Sequence, residues 1–136
     1  MRFKKDKRPE IYSAILIVDN ALPEVTDEHI YRELEDIGVG DIRVTRPKSG
    51  DYFKYVLAEI RYEKSWSVDE VLRLMFEKTA SYYAALVQLV TDKGYRVVID
   101  VAFGACGHTW PAVCLEGDIM QKIRELKANI SIDILA

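Results

Sequence analysis

A helix that runs within a few residues into an alternating strand occurs twice in this chain, and that repeated unit most constrains how it can fold. Ile30, Leu34 and Ile37 recur at i, i+4 and i+7 ahead of Ile42 and Val44; Ile119, Ile123 and Leu126 do the same ahead of Ile130, Ile132 and Ile134. The first spacing gathers apolar side chains on one helical face, and the alternation gathers them on one strand face. Every position so marked is an apolar core position. The pattern therefore predicts a scaffold of two pseudo-symmetric β-α-β halves and assigns no chemistry to them. The polar positions do not correspond, with Arg43 in the first unit and Ser131 and Asp133 in the second. Function is expected where the halves differ, in the loop 104–111 and on the outward face of the sheet.

The remaining elements follow from local signals. Tyr12 to Val18 is apolar without polar alternation, as expected of a strand covered on both faces. A turn at Asn20 to Pro23 leads to a helix that Thr26 caps, with Val25 and Ile30 as a hydrophobic staple and Gly38 and Gly40 at its end. Arg46 to Asp51 reads as a hairpin turn. The strand Phe53 to Glu63 is expected to place Val56, Ala58, Ile60 and Tyr62 on one side and Tyr55, Leu57, Glu59 and Arg61 on the other. Ser67 and Glu70 form a capping box, with Trp66 and Val71 as a staple, for one long helix from Val68 to about Thr91 that Gly94 stops. Tyr95 to Phe103 alternates as a central strand, Ala112 to Leu115 is a short edge strand or connector, and the closing strand is expected to hide Ile130, Ile132 and Ile134. The predicted fold is α+β, a single-domain sheet of about five or six strands with three helices in a ferredoxin-like arrangement.

The length of 136 residues suits one domain over 11–136, preceded by a basic, flexible tail over 1–10 that carries Lys4, Lys5, Lys7 and Arg8. The apolar run Ile11 to Val18 is too short for a secretory signal and ends at Asp19 without a small-residue cleavage pattern. No stretch approaches the ~20 apolar residues of a membrane helix. Cys106 and Cys114 are too few for a disulfide framework and read as free thiols, so a cytoplasmic protein is expected. Nineteen Lys and Arg against 22 Asp and Glu, a net charge of −3, provide no field for a polyanion, which argues against nucleic acid.

The order of elements, Trp66-Ser67 before the long helix, Pro111-Ala112-Val113-Cys114-Leu115 before the last helix and the closing Ile130-Ser131-Ile132-Asp133-Ile134-Leu135 together resemble the bacterial family catalogued as domain of unknown function 4279. The resemblance covers nearly the whole chain from Tyr12. The first helix here is not followed by the glycine-rich, tryptophan-containing segment of that pattern. The resemblance implies a small cytosolic α+β protein and brings no activity, cofactor or catalytic residue.

Reactive residue types are densest at Cys106-Gly107-His108-Thr109-Trp110-Pro111, with Cys114 following. Zinc sites need three or four protein ligands, and only Cys106, His108 and Cys114 lie nearby, so no metal is assigned. A Cys106–His108 nucleophile is chemically open but has no recognisable local signature. No phosphate loop, serine elbow or calcium loop occurs, and no cofactor or catalytic residue is assigned. Glu59, Asp100 and Asp133 alternate out of phase with the core and would share one sheet surface with Arg43, Arg61 and Arg96 if their strands are neighbours. Acid–base chemistry is one use of such a group, and cross-strand ion pairing is the plainer one. The leading reading is a protein-interaction module, an immunity-type inhibitor of a toxin partner, binding through Glu59, Arg61, Arg96, Asp100 and Asp133. The alternative is a small-molecule binder or enzyme with a pocket at Cys106, His108 and Trp110.

Overall fold

Tyr12 to Val18, the segment without polar alternation, lies in the middle of the sheet. The computed structural model describes residues 8–20, 28–45, 52–104 and 111–135. Its strands and helices are β1 (Glu10–Asn20), α1 (Glu28–Asp36), β2 (Arg43–Thr45), β3 (Tyr52–Lys64), α2 (Val68–Lys78), α3 (Tyr83–Lys93), β4 (Arg96–Gly104), α4 (Gly117–Glu125) and β5 (Asn129–Leu135). The protein is α+β, with a five-stranded mixed sheet in the order β2-β3-β1-β4-β5. β1 runs antiparallel to both β3 and β4, β2 is antiparallel to β3, and β5 is parallel to β4. The basic residues Lys4, Lys5 and Lys7, the cap Thr26 with Val25, and the hairpin turn Arg46–Asp51 lie outside the described residues.

β1 is covered on both faces, which accounts for its lack of polar alternation; Ser13, the one small polar residue within Tyr12 to Val18, is buried and donates its hydroxyl to Met75 Sδ at 3.2 Å. Ile11, Ile15 and Ile17 join the main core with Tyr55, Leu72, Met75, Leu86, Ile99 and Val101. Ala14 and Leu16 form a smaller cluster with Val56 and Tyr12 on the opposite face. β4 alternates as its sequence predicts, with Val97, Ile99, Val101 and Phe103 buried. The two helix–strand units supply the two sheet edges. α1 buries Ile30 and Leu34, α4 buries Ile119 and Leu126 is buried just beyond its end, and Ile37 and Ile123 pack against the core less completely. The likeness ends at the strands, because β2 is antiparallel to its neighbour and β5 parallel.

Four expectations are resolved, three of them as corrections. The helix predicted from Val68 to about Thr91 is two helices, which gives four helices among the described residues. The break falls at Thr79, whose hydroxyl turns back to Phe76 O at 2.8 Å and whose N–H caps α2; a β-branched hydroxyl residue offers the chain this local alternative to helix. Across the interruption Tyr82 is buried, donating to Leu57 O at 3.4 Å, while Tyr83 meets Phe76 edge-on. Second, of the two readings of Ala112 to Leu115 the connector holds, and Ala112 makes only an isolated parallel bridge to Ser67.

Third, β3 does not alternate strictly. Its pairing with β1 shifts between Ile15 and Leu16 and again between Ile11 and Ser13. Leu57 and Ala58 consequently both pack towards the main core, and Val56 faces the opposite side. An extra residue on one strand of a pair reverses the parity of everything beyond it. Fourth, Ile130, Ile132 and Ile134 are not hidden: they are 38%, 45% and 51% exposed, because β5 is an edge strand beyond the helix layer.

Capping follows the sequence more closely. Gly94 ends α3 in the left-handed conformation (φ +67°), with its N–H on Val90 O, and Gly38 turns at φ +100° after α1. Ser67 Oγ accepts the Glu70 N–H at 3.3 Å, but the returning bond runs through a residue the motif does not include. Glu70 Oε2 accepts the Ser65 hydroxyl at 2.8 Å, and Ser65 Oγ accepts the Ser67 N–H at 3.1 Å. Trp66, read as a staple residue, is about half-exposed while Val71 is fully buried.

Candidate interaction surface

Glu59, Asp100 and Asp133 share the sheet face opposite the main core. Ala14 pairs with Glu59 on one side and Asp100 on the other, so the two carboxylates lie in one row across β3, β1 and β4 with an alanine between them. Asp100 in turn pairs with Ser131, and Asp133 pairs with Ala102 in the next row of that face. At about 4.8 Å between neighbouring strands the Glu59 and Asp100 backbones are roughly 10 Å apart. They do not form a carboxylate pair.

Glu59 is the organised centre. Its Oε2 accepts the Tyr12 hydroxyl at 2.9 Å and Arg43 Nη2 at 3.0 Å, and its Oε1 accepts Arg61 Nε at 2.9 Å and Nη2 at 2.8 Å. The plainer reading, cross-strand ion pairing, therefore describes Glu59 with Arg43 of β2, whereas Arg61 pairs with it from within β3, two residues along. Burial pushes the Glu59 carboxyl upward, but the Tyr12 and Arg61 hydrogen bonds and the two guanidinium charges outweigh it and hold the group below its ordinary range. Tyr12 moves the other way, raised by burial and by its bond to Glu59.

The sign of the linkage is set by the depressed carboxyl. Its contribution to stability is complete above the unfolded value of 4.5 and is lost as pH falls through the folded value. The Glu59 side chain is 20% exposed, so about 1 kcal/mol is a fair scale for its network. Glu59→Gln should accordingly be less stable than the parent by about that amount at neutral pH. The gap, measured by urea unfolding, should narrow as pH is lowered from 4.5. A gap constant from neutral to strongly acid solution would show that the carboxylate charge is not what the network uses.

Asp100 is the opposite case. Burial holds its carboxyl above the ordinary range, Lys54 draws it down, and Asp133 adds to the rise. Arg96, the remaining predicted site residue, pairs with Val18 at the far end of the sheet and is exposed. The five residues predicted to bind a partner thus divide, with Glu59 and Arg61 in one network and Asp100 and Asp133 close enough to influence each other. Cys106, His108 and Trp110 lie outside the described residues. Cys114 is exposed and free. Among the described residues no group of three or more His, Cys, Asp or Glu is placed to hold a metal ion, and no helix is long and apolar enough to cross a membrane.

Two features beside Glu59 are not readable as site features in the sequence. Tyr62 is 56% exposed and has φ +52°, a left-handed conformation at the second β3 irregularity, which brings its ring to 5.9 Å from that of Tyr12. A cleft of about 710 Å³ opens alongside, where β2 ends and β3 continues. Arg43, Arg61 and Lys78 line it against Asp41 and Glu59, with Tyr31 and Tyr82 as its aromatic walls. Lys78 Nζ donates to Glu59 O at 3.3 Å and Tyr82 to Leu57 O, so side chains of the helical layer occupy carbonyls of β3 beyond β2.

No family model, curated protein or solved structure matches the chain.

Proposed function

We propose that the protein is an interaction module that binds an acidic segment of a partner protein on the patch formed by Tyr12, Arg43, Arg61 and Tyr62 and in the adjoining cleft. The observation that carries this is the exposed Tyr62, kept in a sparsely populated backbone conformation beside Tyr12 and two arginines that Glu59 holds in place. A non-glycine residue at positive φ costs stability and persists where its surroundings impose it, commonly at functional sites. Tyrosine and arginine are the side chains that dominate binding energy at protein interfaces. Three cations against two carboxylates in the cleft favour an acidic ligand, in spite of the chain's net charge of −3. We also read β1-α1-β2-β3-α2-β4 as a ferredoxin-like unit, with α3 inserted before β4 and α4–β5 appended. The order β2-β3-β1-β4 and its antiparallel pairings support that assignment.

Selection of a random displayed-peptide library on the immobilised protein tests the binding reading. Selected peptides should be enriched in Asp and Glu, bind more weakly as salt is raised, and lose about tenfold or more in affinity to the Arg43→Glu, Arg61→Glu double variant. Both arginines are exposed, so the fold should tolerate the change. Peptides without acidic enrichment, or equal binding by the double variant, would remove the patch as the binding site.

A further inference from the structure

The two edges of the sheet are treated differently. β2 is three residues long, and beyond it Lys78 and Tyr82 occupy β3 carbonyls, a common way of blunting an edge. β5 is seven residues long, without proline or glycine, and carries one charged residue, Asp133. Among the described residues no strand pairs with its outer side. Ile130, Ile132 and Ile134 pair with Ile99, Val101 and Phe103, which are buried, so the isoleucines extend the core layer sideways into solvent. A long, flat, apolar edge with few charges is a template for another strand.

We propose that this edge pairs with the β5 edge of a second copy, giving a two-fold dimer with a continuous ten-stranded sheet. A two-fold axis perpendicular to the sheet leaves each side chain on its own face, so the strands meet antiparallel and the axis passes through a residue. Centring on Ile132 pairs all seven residues. Ile132 meets its own copy, Ile130 meets Ile134, and Ser131 meets Asp133, placing a hydroxyl donor opposite each carboxylate. Centring on Asp133 sets the two carboxylates against each other, and centring on Ser131 leaves Ile134 without an isoleucine opposite it. The strand is self-complementary in one register, both in shape and in charge. This is the argument for a second copy as the occupant. The proposal uses residues apart from the Glu59 patch and does not depend on the peptide-binding reading.

Cysteine cross-linking reads the register directly. In a Cys106→Ser, Cys114→Ser background, Ile132→Cys should form a disulfide-linked dimer under mild oxidation, since directly opposed residues have Cα atoms about 4.5–5.5 Å apart, within disulfide range. Ile130→Cys and Ile134→Cys should each cross-link poorly alone and readily when mixed. The unmodified chain should sediment as a dimer, and Ile132→Lys, which opposes two ammonium groups at the axis, as a folded monomer. If Ile132→Lys fails to fold, the cysteine series still decides. A chain that stays monomeric up to millimolar concentration, an Ile132→Lys variant that remains dimeric, or self-linking by Ile130→Cys as fast as by Ile132→Cys would each overturn the proposal.

Discussion

Asp69→Ala should lower the unfolding free energy by about 2–3 kcal/mol, the scale of lost hydrogen bonds to a buried charged group. Asp69 is 7% exposed and lies in the first turn of α2, where its negative charge faces the positive end of the helix dipole. Its Oδ2 accepts Arg73 Nε at 2.8 Å, and its Oδ1 accepts the Glu116 N–H at 2.9 Å. Arg73 extends the chain of contacts to both oxygens of Asp118, with Nη2 to Oδ1 at 2.8 Å and Nη1 to Oδ2. One buried carboxylate and one guanidinium thus join α2 to the start of α4. The hydrogen bonds from Arg73 bring the Asp118 carboxyl down to about 2, and those from Asp118 and Asp69 raise the guanidinium further above its ordinary value. Urea unfolding at neutral pH measures the effect, and Asp69→Asn supplies a graded control, because it keeps an acceptor for Glu116 but loses its charge towards Arg73. A loss under about 0.5 kcal/mol, the range of an ordinary surface substitution, would mean that the α2–α4 contact is held by packing alone.

That network also shows where sequence reading stops. Asp69 and Asp118 are separated by nearly fifty residues, and each in isolation is an acidic residue in the first turn of a helix, explained by the dipole without a partner. The alternation of β4, the αL cap at Gly94 and the Ser67 cap were legible because each depends on neighbours within a few residues. The β3 irregularities depend on the register imposed by β1, and a strictly alternating reading that is right for Ala58, Glu59 and Ile60 misplaces Tyr55, Val56 and Leu57, on the other side of the first shift. Likewise the break at Thr79 lies within an apolar stripe that continues on both sides, so periodicity joined two helices that a side-chain hydrogen bond separates. Of the candidate site, the sheet face shared by Glu59, Asp100 and Asp133 was legible from alternation. Tyr62 and the cleft were not, because both arise where pairing becomes irregular or ends. A positive φ at a tyrosine leaves no mark in composition or spacing. The isoleucines of β5 obeyed the alternation rule, and their exposure followed from the position of the strand in the sheet, which no local pattern encodes.

Leu34→Ala should cost about 3 kcal/mol, within the range for a fully buried leucine, and the loss should be felt first in the wall of the cleft. Leu34 has no exposed surface and is, with Ile30, one of two buried anchors of α1, a nine-residue helix. A helix this short does not persist in water by itself, so packing and end contacts must hold it in place. Leu34 O accepts the Val39 N–H at 3.1 Å across the Gly38 turn, and Glu33 accepts the Tyr95 hydroxyl at 2.7 Å, tying the helix to the segment before β4. The alanine variant leaves the Tyr95 tether intact but opens a cavity beneath the helix that bears Tyr31 and leads into Gly38 and Gly40, all part of the cleft lining. Amide exchange should therefore accelerate in residues 29–39 well before it does in β1. The affinity for selected acidic peptides should fall in proportion to the fraction of molecules in which α1 is detached. Leu72→Ala, an equally buried change in α2, should instead raise exchange across the sheet, since α2 packs on both β1 and β3. If Leu34→Ala accelerates exchange evenly in α1, β1 and β4, α1 unfolds only with the whole domain, and the cleft is walled by an element as persistent as the sheet itself.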